Sequence, residues 1–505
     1  MAVIEAMWIR RAEEPAGIYA YVDRINTFSA SFHAPIHIIR VIRGLDPVLR
    51  FQYMSDRPPA RVVIRGVAPE LECGRFPIKR VIGEIVDVEA DIFTHGNDSI
   101  TCIIRYRHED DEAWTEIPME PLGNDHWKAR FTVEKSGQYI YAITAWVDPF
   151  ITWYNDFQTR IAADQDVSVD LLIGAELLKR AAERALGEDS KKLREAAKRL
   201  KPEAVDERLV FMAMSYADRS NATIYKELRI TVDPIRARFS TWYEMFPRSC
   251  GTFRDCEQIL PEIAAMGFDV LYFPPIHPIG TTHRKGKNNS TEAAPGEPGS
   301  PWAIGSKQGG HKAVHPELGR LDDFRRLVVA AKSGGIDIAL DLAYQCAPDH
   351  PYVKEHLEWF RLRPDGTVQY AENPPKKYED IYPFEFETSQ WRSLWEELKS
   401  IVEFWIEQGV RIFRVDNPHT KPFDFWEWMI RDLKKKHPDL IFLSEAFTRP
   451  NLMYRLAKLG FTQSYTYFTW RNTKKDLIEY FTELTQTEVR EFFRLWRPVQ
   501  DHEDF

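Results

Sequence analysis

The clearest structural signal in the sequence is Gly409-Val-Arg-Ile-Phe-Arg-Val-Asp-Asn-Pro-His-Thr-Lys-Pro422. Residues 410–415 predict a buried strand. The Asp-Asn-Pro step at 416–418 ends it, because an Asx-Pro step favours a turn and proline cannot continue a strand ladder. Side chains two apart on a strand share a face, so Arg414 and Asp416 point the same way. We expect the Arg414 cation to keep the Asp416 carboxylate ionised.

A second strand is predicted at Asp439-Leu-Ile-Phe-Leu-Ser444, and Glu445 follows it directly. Asp416 and Glu445 therefore end two consecutive strands of a βα repeat. Such a pair of carboxylates is what a glycosidase-type site uses, one as nucleophile and one as acid/base. Taken singly, either residue is more often only the N-cap of the following helix than a catalytic group. The pair together with its surroundings favours catalysis.

Further strand patterns place these two strands in a series. They lie at residues 239–246, 269–274, 336–343 and 461–468, with helical patterns between them. Alternating strands and helices predict a parallel α/β fold. The economical form is a (β/α)8-type barrel, in which the loops after the strands meet on one face and carry the site. Six strands are recognisable in total.

Three segments precede this barrel. Residues 1–60 show no clear period and have no assigned role. Residues 61–165 contain short period-two runs separated by turns, which predict a β-sandwich domain. Residues 166–230 carry apolar residues at spacings of three and four, which predict a helical insert. The catalytic barrel is then expected at residues 231–505, with a substrate-binding loop insertion at 345–390.

The composition excludes several classes of function. A net charge of −9 and a pI near 5.9 disfavour a nucleic-acid partner, because an acidic surface repels phosphate. Residues 1–14 are too charged for a signal peptide, and no apolar run is long enough to span a membrane. We therefore expect a cytoplasmic protein without a membrane partner. The 5 cysteines lack CxxC spacing, so neither a disulfide framework nor a zinc site is predicted.

Several motifs resemble a known family of enzymes. Phe413-Arg-Val-Asp-Asn-Pro-His-Thr-Lys-Pro422 and Leu443-Ser-Glu-Ala-Phe-Thr-Arg-Pro450 resemble the α-amylase superfamily, and most closely its bacterial α-1,4-glucan:maltose-1-phosphate maltosyltransferases. Cys73-Gly-Arg-Phe-Pro-Ile-Lys-Arg80 extends the resemblance to the predicted sandwich. Gln345 stands where typical α-amylases carry an Asn-His pair, and a glutamine is what the maltosyltransferases have there.

The resemblance also implies a donor site. Its phosphate pocket would be lined by Asn373, Lys376, Tyr378 and Asn417, and its donor sugar would contact Lys285, Gln345 and Asp380. A phosphate monoester is well bound by an ammonium and several neutral donors, which the proline-stiffened loop at 370–382 supplies. Residues 302–311, Trp-Ala-Ile-Gly-Ser-Lys-Gln-Gly-Gly-His, contain enough glycine to approach a ligand closely.

The mechanism implied by the resemblance is a double displacement with retention. Asp416, assisted by Arg414, attacks the anomeric carbon while Glu445 protonates the leaving phosphate, and Glu445 then deprotonates the 4-hydroxyl of an acceptor. The two carboxyl groups would stand about 5–5.5 Å apart. The substrates would be α-maltose 1-phosphate and an α-1,4-glucan, with no metal or organic cofactor. A homodimer formed through the helical insert is also implied.

The resemblance stops near residue 494. After Glu491-Phe-Phe-Arg494 a family member would continue with an Asn-Thr-Pro-Asp motif that carries a third carboxylate. This chain instead reads Leu495-Trp-Arg-Pro-Val-Gln-Asp-His-Glu-Asp-Phe505, in which neither Asp501 nor Asp504 can be given that role. We therefore expect a barrel that is incomplete at its C-terminal end and a chain that is an inactive fragment.

Other functions stay open at this point. They are an α-glucan hydrolase or trehalose-forming isomerase of the same superfamily, a catalytically silent glycan-binding or dimerising remnant, and a structural protein without a sugar site. Release of free sugar without phosphate dependence would indicate the hydrolase. Turnover of any kind would exclude the remnant.

Overall fold

The computed structural model describes residues 60–496. The predicted extension at residues 1–60, apart from Ala60, and both Asp501 and Asp504 lie outside the described residues. Within residues 60–496, no helix combines the length and the apolar character that crossing a bilayer requires.

Two packed sheets form the first part of the described chain. Their strands are β1 Val62–Ala68, β2 Ile78–Val81, β3 Ile85–Thr94, β4 Ile100–His108, β5 Thr115–Pro118, β6 Glu120–Gly123, β7 His126–Thr132, β8 Gly137–Val147, β9 Thr223–Ile224 and β10 Leu228–Asp233. One sheet has the order β1-β3-β7-β6 and the other β2-β10-β8-β4-β5, with β9 paired to β8. Phe131 of β7 contacts Tyr106 and Tyr141 of the other sheet, with ring centroids 4.1 and 6.2 Å away. The two sheets therefore pack face to face.

Four helices are inserted between β8 and β9. They are α1 Pro149–Ala162, α2 Ser168–Arg184, α3 Gly187–Lys198 and α4 Glu207–Ser215. The first begins where the Asp148 carboxylate accepts the N–H of Phe150 at 3.0 Å, and Pro149 fits the first helical position. Trp153 of α1 packs on Gly174 of α2, where a Cβ would lie 2.2 Å from the indole ring.

The predicted bounds of the helical insert are wrong at both ends. Helix begins at Pro149 and not at residue 166, because Asp148 caps a helix directly after β8. At the other end, β10 crosses the predicted boundary at residue 230 and returns to the second sheet, parallel to β2 and antiparallel to β8. All but one of its residues are buried, although its sequence Leu-Arg-Ile-Thr-Val-Asp alternates apolar and polar residues, so a period-two signal was present and the predicted boundary at residue 230 divided the strand.

A seven-stranded parallel sheet follows, and it confirms the predicted parallel α/β arrangement. Its strands, in both spatial and sequence order, are β11 Trp242–Glu244, β12 Val270–Phe273, β13 Asp337–Leu342, β18 Ile412–Val415, β19 Ile441–Ser444, β20 Gln463–Tyr465 and β21 Leu495–Trp496. The helices between them are α5 Pro247–Cys250, α6 Phe253–Ala265, α7 Leu321–Ser333, α8 Pro351–Glu355, α9 Trp391–Glu407, α10 Phe423–Lys436, α11 Pro450–Lys458 and α12 Lys474–Gln486. Two small ladders occupy the connection after β13. They pair β14 Gln345–Cys346 with β17 Tyr382–Pro383, and β15 Ala371–Asn373 with β16 Lys376–Tyr378.

The prediction of six strands is wrong by one. Leu495–Trp496 pairs in parallel with β20, with Ser464 opposite Leu495. A strand of two residues carries no periodicity, and this one lies where the resemblance to the family ends, so no pattern predicted it.

The buried strands β18 and β19 explain why the site lies where it does. Every residue of both strands is buried. On α9, buried Leu394, Leu398, Ile401 and Trp405 recur at the spacing of a helix that packs one face on the sheet. Because all the strands run parallel, their carboxyl ends meet at one edge, and the residues after them are brought together there.

A buried charge cluster joins the second sheet to the parallel sheet and its helices. Asp233, at the end of β10, accepts Lys434 Nζ of α10 at 2.6 Å and is also paired with Arg494. Lys434 Nζ donates to Thr462 Oγ1 at 2.8 Å as well. Burial alone would raise the pKa of Asp233, but Lys434 and Arg494 outweigh it and lower that pKa. Removing one partner of such a buried pair leaves a charge uncompensated and costs stability.

Candidate active site

Asp416 directly follows β18 and is 7% exposed. Its N–H donates to the carbonyl oxygen of Leu342 on β13 at 3.1 Å. The fully buried Arg414 places Nη1 3.0 Å from Asp416 Oδ1 and 3.0 Å from Asp341 Oδ2. Tyr272 donates its hydroxyl to the same Asp341 oxygen at 2.6 Å. The structure therefore brings Arg414 and Asp416 together, and a second carboxylate fixes the guanidinium from the other side.

The charge of Arg414 is maintained by this arrangement. Burial would lower the pKa of the Arg414 guanidinium, but Tyr272, Asp341, Tyr465 and Asp416 together raise it well above its ordinary value. The guanidinium is thus a permanent cation in a buried place. Asp416 therefore faces the positive charge of Arg414, which is held in place by protein groups and not by water.

Glu445 directly follows β19 and is 5% exposed. Its N–H donates to the carbonyl oxygen of Val415 at 3.1 Å, and its Oε2 accepts the N–H of Asn417 at 2.9 Å. Val415 lies opposite Ser444 in the ladder, so Asp416 and Glu445 continue adjacent strands that are about 4.8 Å apart. Asn417 adopts a left-handed backbone, with φ 45° and ψ 51°. The turn after β18 is therefore hydrogen-bonded to the carboxylate that follows β19.

Three of the four residues predicted for the phosphate pocket lie on one hairpin. Asn373 pairs with Lys376, and Ala371 pairs with Tyr378. Directly opposed residues of an antiparallel pair share a face, as do residues two apart, so Asn373, Lys376 and Tyr378 all lie on the same face. Asn417 lies on the turn after β18, and no hydrogen bond between described residues joins it to the hairpin.

The residues predicted to contact the donor sugar lie beside this hairpin. Gln345 pairs with Pro383, and its Nε2 donates to Trp302 O at 3.4 Å. Asp380 is 2% exposed, and its Oδ1 has no hydrogen-bond partner within residues 60–496. Burial raises the pKa of Asp380, opposed by the nearby charge of Lys285. A buried carboxylate oxygen without a partner fits a ligand that brings its own hydroxyl groups.

One group in the described chain has the composition of a metal site, namely His311, Cys346 and His350. His350 Nδ1 accepts the N–H of Tyr352 at 3.0 Å, so its Nε2 carries the hydrogen and donates to His311 Nδ1 at 3.1 Å. The other nitrogen of His311 then donates to Ala343 O at 3.0 Å. All four ring nitrogens are used in this chain of hydrogen bonds. The pair therefore braces two loops and does not offer lone pairs to a metal.

The same histidines explain the glycine-rich run at residues 302–311. A Cβ at Gly310 would lie 2.1 Å from His350 Nε2, and one at Gly305 would lie 2.2 Å from its Cδ2. Burial lowers the pKa of His350 to about 3, so its ring is neutral where it meets the loop. The glycines therefore permit close approach to another part of the protein, and their approach to a ligand stays a prediction.

Comparison with known proteins assigns the chain to a family. A family model for the N/S domain of α-1,4-glucan:maltose-1-phosphate maltosyltransferase matches residues 60–234. The enzyme of that name from Chlorobaculum tepidum is 52% identical over 472 residues, which cover 89% of this chain and 70% of that protein. The chain belongs to the maltosyltransferase family. The relative from Cereibacter sphaeroides is 50% identical over 452 residues, covering 86% of this chain and 76% of its own length. Among solved structures, an α-amylase from Lactobacillus plantarum matches 53% of this chain and 64% of its own, with 24% identity and a TM-score of 0.44.

Lys421 is a residue of the maltosyltransferase motif for which the sequence predicted no role. It is 9% exposed, and its Nζ donates to Asp416 O at 3.3 Å and to Asn417 O at 3.1 Å. Burial lowers the pKa of Lys421, and the charges of Asp416, Glu445 and Asp341 oppose that shift. Its position five residues after Asp416, in a turn flanked by prolines, was the only signal in the sequence.

An aromatic cluster beyond β19 and β20 was also missed. The ring centroid of Phe447 lies 5.6 Å from that of Tyr465 and 5.3 Å from that of Trp470. Tyr467 lies 5.2 Å from Trp470, which is 56% exposed. Residues 461–468 were predicted only as a strand. The strand ends at Tyr465, and Tyr467–Trp470 form a 3-10 helix after it.

Proposed function

We propose that this chain transfers maltosyl units from α-maltose 1-phosphate to the non-reducing end of α-1,4-glucans and releases phosphate. The observation that carries the proposal is the pairing of two strand-end carboxylates, Asp416 held by Arg414 at 3.0 Å and Glu445 held by the Asn417 N–H at 2.9 Å. Membership of the maltosyltransferase family supports the choice of donor and acceptor. The earlier expectation of an incomplete barrel and an inactive fragment stays a prediction, and the phosphate-release assay described below decides between it and transfer.

The reaction proceeds by two displacements at the anomeric carbon. In the first, an Asp416 carboxylate oxygen bonds to C1, the C1–O bond breaks, and the phosphate oxygen leaves with the electron pair and a proton from Glu445. In the second, the acceptor 4-hydroxyl oxygen bonds to C1, its proton passes to Glu445, and the ester bond to Asp416 breaks. Two inversions give net retention. Arg414 remains a cation throughout and balances the changing charge on Asp416.

The strand order supports a (β/α)8-type barrel around this site. Doubly wound sheets reverse direction at a switch point, whereas this sheet keeps sequence order across all seven strands. Right-handed crossovers then place every helix on the same face, and such a sheet curls toward a barrel. A barrel puts the loops after β12, β13, β18 and β19 around one mouth. The proposed reaction requires Lys285, Gln345, Asp416 and Glu445 at that mouth.

The observed strands and helices also suggest how the chain before the parallel sheet is divided into domains. Residues 61–147 and 223–233 form a sandwich domain and 149–215 a helical insert, consistent with the observed strands and helices. The insert exposes apolar side chains, including Leu172 at 72%, Leu186 at 84% and Phe211 at 71%, which supports a homodimer contact there. A cytoplasmic location stays a prediction.

We assign binding of the glucan acceptor to the exposed aromatic cluster. Phe447 follows the proposed acid/base closely in sequence, and Trp470 contacts it at 5.3 Å while exposing more than half of its surface. An aromatic face offers an apolar surface to the equally apolar face of a glucose ring. The growing glucan would therefore lie over this cluster as its 4-hydroxyl reaches Glu445.

The test of the proposed function is phosphate release from α-maltose 1-phosphate, measured with and without glycogen as acceptor. Release that depends on both substrates, with elongation of the glucan by two glucose units, is expected. Release of maltose from α-glucans in the absence of any phosphorylated donor would identify a hydrolase and overturn the proposal. No phosphate release from the chain at all would also overturn it.

Lys376 is expected to select the phosphorylated donor. The change Lys376→Ala should weaken binding of α-maltose 1-phosphate by about 1.5–3 kcal/mol, the range for a hydrogen bond to a charged group, and should barely affect binding of maltose. Isothermal calorimetry with both ligands measures the difference. Lys377→Ala is the matched control, because Lys377 pairs with Glu372 on the other face of the hairpin and should leave both affinities unchanged. Equal losses for the two ligands would disprove the role.

A further inference from the structure

The ammonium of Lys421 binds the main chain of the turn that carries the nucleophile. Its Nζ donates to two successive carbonyl oxygens, Asp416 O at 3.3 Å and Asn417 O at 3.1 Å. Thr420 donates to Asn417 O through its N–H at 3.2 Å and its Oγ1 at 2.8 Å. The Asn417 carbonyl is therefore held from several sides. This bonding holds a non-glycine residue in a left-handed backbone, which is otherwise disfavoured.

The peptide between Asp416 and Asn417 connects Lys421 to Glu445. A trans peptide is planar, and its C=O and N–H point in opposite directions. Lys421 binds the carbonyl end of this peptide, and the N–H end donates to Glu445 Oε2 at 2.9 Å. A cation on the oxygen polarises the peptide and strengthens the bond that its N–H makes. Fixing one end of the plane therefore fixes the direction of the other.

We propose that Lys421 is a positioning residue that aims the Asp416–Asn417 peptide at Glu445 and so holds the acid/base in place for both proton transfers. The inference rests on the proposed function and deepens it, because it names a residue of the same site that touches neither substrate nor the reacting atoms. Lys421 acts through the peptide and not by donating a proton itself.

The charges around Lys421 give the role a second signature. Three carboxylates face it, Asp341 from β13, Asp416 after β18 and Glu445 after β19. The other cationic or titratable groups nearby are Arg414, which binds Asp341 and Asp416, and His419 in the same turn. Removing the Lys421 cation removes an attraction that stabilises the ionised form of these carboxylates. Both limbs of the pH profile of kcat/KM should then move to higher pH.

The decisive variants are Lys421→Met, which keeps most of the apolar stem without the charge, and Lys421→Arg, which keeps the charge. Lys421→Met should lower kcat by about 100-fold, the effect of a small misplacement of a catalytic group, with a smaller change in KM for α-maltose 1-phosphate. It should also shift both limbs of the pH profile upward. Lys421→Arg should recover part of kcat and restore the position of the limbs. A purely structural lysine would not produce this split between kcat and KM.

Lys434→Met is the matched control. Lys434 is also 9% exposed, but its ammonium binds Asp233 and Thr462 in the buried charge cluster that joins the second sheet to the parallel sheet. This variant should melt at a lower temperature, and below that temperature it should keep the parent kcat and pH limbs. Equal behaviour of the two methionine variants would overturn the proposal.

Amide hydrogen exchange tests the proposal without relying on activity. In Lys421→Met the peptide segment that contains Asn417 should exchange faster than in the parent chain, because the hydrogen bond to Glu445 opens more often. The same segment should be unchanged in Lys434→Met. Unchanged exchange in Lys421→Met would overturn the role of Lys421 even if the parent chain released no phosphate. Failure of phosphate release alone would overturn the proposed function and leave the exchange result to decide the role of Lys421.

Discussion

Replacing Asp416 with alanine is expected to lower the rate of phosphate release by at least about 10⁴-fold, the scale seen when a member of a catalytic set is removed. No ester can form without the attacking carboxylate, and the remaining groups provide only binding and charge. The measurement is phosphate release from α-maltose 1-phosphate with saturating glycogen. Near-normal turnover in Asp416→Ala would show that another group is the nucleophile.

The loss of activity should occur without loss of the fold. Arg414 keeps its second partner, Asp341 Oδ2 at 3.0 Å, so the substitution does not leave a buried guanidinium without a carboxylate. The matched control is Asp439→Ala. Asp439 precedes β19 at the opposite end of the sheet, where it pairs with Arg411 at 3.2 Å. Its removal should leave turnover unchanged, since exposed ion pairs contribute little.

The part of the site that sequence could predict is local. Strand patterns and an Asx-Pro stop place Asp416 after β18, and residues two apart on a strand share a face, so the Arg414–Asp416 contact follows from the sequence alone. The hairpin at 371–378 was expected only as a proline-stiffened loop, although its interacting residues are also close in sequence and the register across its short turn determines which side chains share a face.

What sequence could not predict depends on contacts between distant segments. Gly305 and Gly310 are needed because the His350 side chain packs on them. The residues around position 305 contain no pattern that predicts this contact with a distant loop. The contacts of Lys421 depend on the left-handed turn at Asn417, which places two carbonyl groups within its reach. Strand β10 alternates apolar and polar residues but follows the helical insert, far in sequence from the strands with which it pairs, and β21 is too short to show a period.

Replacing Glu445 with alanine is expected to trap a maltosyl ester on Asp416. The first displacement expels phosphate, whose second pKa is about 6, and in the fraction of the donor that carries its own phosphate proton this group can leave as the hydrogen phosphate dianion without a proton from Glu445. The second displacement requires attack by a sugar hydroxyl, which is a poor nucleophile unless a base removes its proton. Formation of the ester should therefore continue while its breakdown slows, and the intermediate should accumulate.

Intact-mass spectrometry after incubation with α-maltose 1-phosphate should show the Glu445→Ala chain heavier by one maltosyl group, with the added mass on the peptide that contains Asp416. Added azide, which attacks without a base, should release the group and restore turnover. Glu427→Ala is the control. Glu427 lies on α10 and pairs with Arg75 at 2.7 Å, so this variant should accumulate no adduct. An unmodified Glu445→Ala chain with parental turnover would remove Glu445 from the mechanism. An adduct on any residue other than Asp416 would keep Glu445 as the base and reassign the nucleophile, since the two carboxylates perform separate steps and each variant reports on one of them.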